Sequence, residues 1–196
     1  MLNLGVGVMK KILLACLLAS MSSLANAHPG HGLESAYAGF MHPLTGWDHL
    51  LVMLAVGLWA SKIGGNARWQ LPLTFMLLMA AGTFLGSAGV MFAGLETAIA
   101  ASVMAMGLVL VISLSMNNAL RIGVVAFFAL LHGVAHGAEL NLNQGLSALG
   151  GMLLATGLLH GVGLLLGSQH LNLAKWAQTA MAWAIVLAGG YMLMAG

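Results

Sequence analysis

Charge is what this sequence has least of. Its 196 residues include four acidic and six basic side chains, 5% of the chain, while 61% are hydrophobic. Ordinary soluble domains carry about a quarter charged residues. This composition and a mean hydropathy of +1.00 exclude one. Cysteine is nearly absent: Cys16 stands alone, inside a segment expected to be removed. The mature chain then has no thiol, which excludes a disulfide framework and a thiolate metal site. The formal net charge of +2 owes two units to Lys10 and Lys11 in the same segment. What remains is near neutral, so no nucleic-acid partner is expected. No nucleotide-binding motif is present, so ATP hydrolysis by this chain is not expected.

What is present begins with a secretory pattern. Lys10-Lys11 form a basic region, Ile12 to Leu18 a short apolar core, and Ala25-Asn26-Ala27 a small-x-small cleavage site. The core is too short to span a bilayer. Residues 1–27 therefore read as a signal peptide, with Met9 an alternative start because no charge precedes the lysines. A lipoprotein reading at Leu13-Leu14-Ala15-Cys16 leaves too little apolar chain before the cysteine.

The expected fold is all-α, a polytopic membrane helix bundle with six transmembrane helices forming a single domain over residues 28–196. A span needs about 20 apolar residues. Six candidates fit, at 43–61, 70–92, 95–115, 120–139, 145–167 and 173–194. Short polar or glycine punctuation separates them, including Gly64-Gly65-Asn66, Ala93-Gly94 and Asn117-Asn118. A cleaved signal leaves the mature N-terminus outside the cytoplasm. Lys62, Arg68, Arg121 and Lys175 then all fall on the cytoplasmic side, and Glu34, Glu96 and Glu139 on the other. That is the positive-inside arrangement. It places both mature termini in the periplasm of a bacterial inner membrane. Trp47, Trp69 and Trp176 sit near span ends, as interfacial aromatics do. The pairs Gly82/Gly86, Gly133/Gly137, Gly157/Gly161 and Gly163/Gly167 have the spacing that lets helices approach closely in lipid.

Against this background the few polar residues stand out, because ionisable groups in a span are costly and usually line a site or pathway. His42-Pro43-Leu44-Thr45-Gly46-Trp47-Asp48-His49 opens the first span with two imidazoles and a carboxylate. Pro43 fits a first helical turn. His42 and His49 are seven apart and would share a face of a straight helix, with Asp48 one residue off it. In the fourth span His132, His136 and Glu139 fall at i, i+4 and i+7 on one face. Imidazole with carboxylate suits nickel, cobalt, zinc or copper better than magnesium or calcium.

Depth groups these residues. At 1.5 Å per residue, Asp48 and His49 lie about 8 Å inside the outer end of span one. Glu139 lies at the outer end of span four, with His136 about 5 Å and His132 about 10 Å in. His160 in span five lies deeper, as a possible inward step. The candidate metal residues are therefore His42, Asp48, His49, His132, His136, Glu139 and His160. Plainer readings exist: interfacial anchors for His42 and Trp47, carbonyl-bonded histidines in span four, and a cross-helix hydrogen bond for His160. His28 and His31 could chelate a metal with the mature amino terminus, or belong to a polar tail. His170 reads as a solvated loop residue. The scattered methionines read as filler.

The motifs HPLTGWDH, HGVAHGAE and LLHGVG resemble the HupE/UreJ family of bacterial membrane proteins, over essentially the whole mature chain. The resemblance implies a secondary transporter for nickel, sometimes cobalt, often associated with hydrogenase or urease maturation. It also implicates His42, Asp48 and His49 in metal uptake. The expected partners are thus a divalent metal ion as substrate and the lipid bilayer, with no prosthetic group and no nucleic acid. Uptake would be driven by ion gradients or membrane potential, without catalysis by the chain. The alternative weighed is an intramembrane zinc-dependent hydrolase. No His-Glu-x-x-His sequence is present to support it, and no general base is obvious.

Overall fold

The computed structural model describes residues 35–112, 114–139, 146–168 and 175–195. The expected signal peptide, His28, His31 and His170 lie outside the described residues. Every regular element among them is helical: α1 (Ala36–Thr45), α2 (Trp47–Ile63), α3 (Ala67–Ser87), α4 (Leu95–Ile112), α5 (Asn118–Glu139), α6 (Ser147–Leu166) and α7 (Lys175–Ala195). α3 to α7 are each long and apolar enough to cross a membrane, and α1 with α2 forms a sixth, broken candidate. The chain is a multi-pass membrane protein.

Local chemistry explains most of the boundaries. The Ser35 hydroxyl accepts a hydrogen bond from the Ala38 N–H at 3.0 Å and starts α1. The Asn117 side-chain oxygen accepts from the Leu120 N–H at 2.8 Å and starts α5. Gly64 and Gly65, both at positive φ, turn the chain between α2 and α3.

Two expectations need correction. The first span is not one straight helix over 43–61: α1 and α2 meet at an angle of 81°. Pro43 lies inside α1, near its end, and lacks the N–H that would continue the ladder. Gly46 then adopts an extended conformation (φ −83°, ψ 115°) and the helix restarts at Trp47. The second span ends at Ser87, not at 92. Gly89 and Gly94 have positive φ, and the apolar run Val90-Met91-Phe92 between them is exposed outside any helix. Its hydropathy imitates a helix that the glycines do not permit.

α2 is the central helix. Val52, Met53, Ala55, Val56, Leu58, Trp59 and Ala60 are all buried, so it is enclosed on every side. It packs on α3, α4 and α6. Close glycine contacts set several of the helix pairs, among them the following three. A Cβ at Gly82 or Gly86 on α3 would overlap the Leu130 or Val134 carbonyl on α5, and one at Gly133 or Gly137 would overlap α3 in return. Gly57 on α2 meets Gly163 on α6 in the same way. Gly39 on α1 and Gly151 on α6 bring those two helices together. Gly157 and Gly161 differ from the expected packing pair: Gly161 has nothing within 4 Å of its Cβ position, and Gly157 touches only Met76.

Candidate metal centre

The helix break decides the geometry. It turns His42 on α1 toward His49 on α2, with ring centroids 5.5 Å apart. The tight α3–α5 pair holds the histidine face of α5 nearby. His136 lies 4.9 Å from His42 and 4.3 Å from His49, and His132 lies 5.2 Å from His49, centroid to centroid. One nitrogen from each of His42, His49 and His136 lies within 4.8 Å of the others. Around a tetrahedral ion with metal–nitrogen bonds near 2.0–2.1 Å, ligand nitrogens stand about 3.4 Å apart. The three nitrogens thus stand near the spacing that one ion would require.

Hydrogen bonds orient the rings. The Asp48 carboxylate engages Nδ1 of His49 and also accepts from the His49 backbone N–H at 2.8 Å. With Nδ1 so engaged, Nε2 is the atom free to meet a ligand. It is buried and without a partner. The Phe128 carbonyl accepts from Nδ1 of His132 at 2.9 Å, and Nε2 of His132 is likewise buried and unpartnered. Both ring nitrogens of His136 are unpartnered, in a side chain only 1% exposed. Buried polar atoms normally have partners, so this concentration of free nitrogens could hold a ligand.

The carboxylates frame the cluster. Glu139 Oε2 lies 3.3 Å from Nε2 of His42, at the exposed end of α5. Asp48 is also on the wall of a cavity of about 350 Å³, shared with Trp47, Glu96 and Thr97. Asp48 is acidic in the first turn of α2, where the helix dipole favours a negative charge. A Cβ at Gly46 would stand 2.9 Å from Nδ1 of His49 and 3.0 Å from Oδ1 of Asp48, so glycine leaves that pair undisturbed.

The structure thus brings together six of the seven candidate residues: His42, Asp48, His49, His132, His136 and Glu139. His160 stands apart. It is buried on α6, and its nearest aromatic neighbour is Phe75 at 5.2 Å between centroids; Phe75 lies 5.9 Å from His132. Two residues near the path went unread in the sequence. Phe75 is one apolar residue in an apolar span and carries no signal there. Glu96 served only as a marker of sidedness, although a carboxylate next to a span start could have been weighed with Asp48.

Comparisons with known proteins converge on one family. Residues 14–192 match the family described as HupE / UreJ protein. The chain is 36% identical over 178 residues to Protein HupE of Rhizobium leguminosarum bv. viciae, covering 90% of this chain and 93% of that one. No solved structure matches it significantly.

Proposed function

This chain belongs to the HupE/UreJ family, and from that premise we propose that it is a secondary transporter carrying a divalent transition metal from periplasm to cytoplasm. The carrying observation is the cluster of three imidazoles from α1, α2 and α5, whose nitrogens converge within 4.8 Å in a buried setting. Nickel is the first candidate and cobalt the second. Neutral imidazole suits both, and calcium or magnesium would demand a cage of oxygens, which these imidazoles do not supply. His42, His49 and His136 act as ligands, with His132 beside them. Asp48 orients His49, as a carboxylate commonly orients a metal-bound imidazole. Glu139 meets His42 at the outer end of the site.

The broken first span supports the same reading. Discontinuous helices that expose backbone and polar side chains near the middle of a bundle are a recurrent device of secondary transporters. The cluster opens toward the end of the bundle that carries Glu96 and Glu139, the face proposed to be periplasmic. For a hydrolase, a free general base would be needed, and the two carboxylates at the site are engaged with imidazoles.

Uptake of radiolabelled nickel and cobalt by cells expressing the protein tests the proposal. Accumulation above that of vector-only cells, lost when His49 is replaced by alanine, is the expected result. Metal binding by the purified protein without any accumulation in cells would sink it.

A further inference from the structure

His160 is as deeply buried as the cluster and takes no part in it. The side chain is 1% exposed, and neither ring nitrogen has a partner. A neutral imidazole always keeps one donor and one acceptor. Leaving both idle in the interior is costly, and no packing role requires it. The position is also firmly fixed. A Cβ at Gly57 on α2 would overlap the His160 backbone carbonyl, so α2 and α6 are locked together at this level.

The surroundings are those of a binding station. Phe75 on α3 has its ring beside both His160 and His132, the deepest imidazole of the outer cluster. Met79 lies one turn further along the same face of α3. Its sulfur accepts a hydrogen bond from the Thr156 hydroxyl at 3.9 Å. Thr156 in turn lies one turn before His160 on the same face of α6. Phe75, Met79 and Thr156 are each fully buried. An imidazole, a thioether and a hydroxyl therefore lie buried on α6 and α3, with one aromatic ring beside both His160 and His132.

We propose that His160 is a second, inner station for the transported ion, separated from the outer histidines by the Phe75 ring, with Met79 and Thr156 beside the passage. The assignment rests on the transport reading above. A nitrogen donor with a nearby thioether again suits a late first-row ion and not calcium or magnesium. An apolar ring between two stations blocks continuous flow, as hydrophobic constrictions do in channels. The ion then moves only when the ring turns aside, so occupancy passes from one station to the other.

Cobalt(II) is the probe, with the full-length protein reconstituted in liposomes and its visible absorption bands reporting the ligands. Wild-type protein takes up cobalt and binds more of it at saturation than His160→Gln. That variant keeps wild-type affinity for the first ion, which shows it is folded, but loses uptake and the spectral contribution of the second ion. His160→Met retains a donor atom and recovers part of the uptake. Wild-type stoichiometry and uptake in His160→Gln would overturn the inner station, and so would equal behaviour of the Gln and Met variants. Loss of first-ion affinity in both variants would show that the two stations are not separate, which also overturns it. If wild-type protein neither binds nor takes up cobalt or nickel, the transport reading fails first, and the two failures are told apart.

Discussion

Each imidazole has two ring nitrogens, and its neighbours decide which of them can meet an ion. At His49 the neighbour is a carboxylate, and at His132 a backbone carbonyl. Asp48→Asn keeps the shape and a hydrogen-bonding oxygen but removes the charge that steadies His49. Its expected cost is about a 10- to 100-fold loss of metal affinity, in line with other partners of metal-bound histidine. Calorimetry on the purified variant, with a membrane-expression control, measures it; wild-type affinity would mean that Asp48 has no part in orienting the ligand. The same chemistry sets a pH dependence. Imidazole titrates near 6.5 in its ordinary state and cannot bind metal when protonated. Protons therefore compete with metal as pH falls, and affinity should drop on acidification. Several histidines share the site, so the drop should be steeper than one titrating group gives. Affinity that does not fall on acidification would contradict imidazole ligands.

At the scale of the helices, the bend at Gly46 and the glycine contacts do most of the positioning. Gly46→Ala leaves an allowed backbone but crowds Nδ1 of His49 and Oδ1 of Asp48. It should weaken metal binding while leaving thermal stability in detergent close to wild type; unchanged binding would mean that the pair tolerates displacement. Gly82→Ala is the opposite case. Its Cβ would meet backbone atoms of α5 that cannot rotate away. Overpacking of this kind costs about 1–3 kcal/mol, read as a lower unfolding temperature, whereas Gly161→Ala projects into open space and should cost nothing. Equal melting of the two variants would contradict the close α3–α5 contact. The contrast shows what the sequence could say. His132, His136 and Glu139 could be placed on one face because α5 is continuous. His42 and His49 do meet, but by folding at Gly46 and not through a shared helical face. Pro43 read as a first-turn residue and gave no sign of the break, whose angle depends on what α1 packs against, and that is α6. Gly157 and Gly161 have the spacing of a packing pair, but spacing does not tell which face of α6 meets a neighbour. The pentapeptide Leu-Leu-His-Gly-Val shows this within one chain. It occurs at 130–134 and 158–162, and Gly133 is tightly packed against α3 while Gly161 faces nothing.

At the scale of the whole molecule, five long apolar helices, a sixth, broken candidate and the four cationic residues at helix ends were legible because all follow from composition along the chain. Sidedness yields a direct test. A reporter inserted at Gly65 should be active in the cytoplasm and one fused after Ala195 active in the periplasm; the reverse pattern would place the histidine cluster on the wrong face for uptake. Depth along the spans grouped the histidines of the first and fourth spans at one level, but the helix contacts that bring them to one point were not legible. That convergence of α1, α2 and α5 is the central claim, and a double-mutant cycle tests it most directly. Nickel affinity is measured by calorimetry on the wild type, His49→Ala, His136→Ala and the double variant. If the two imidazoles hold the same ion, each single change removes most of the high-affinity binding and the double variant is little worse than either. Losses that add independently would mean two separate sites and would contradict the shared centre.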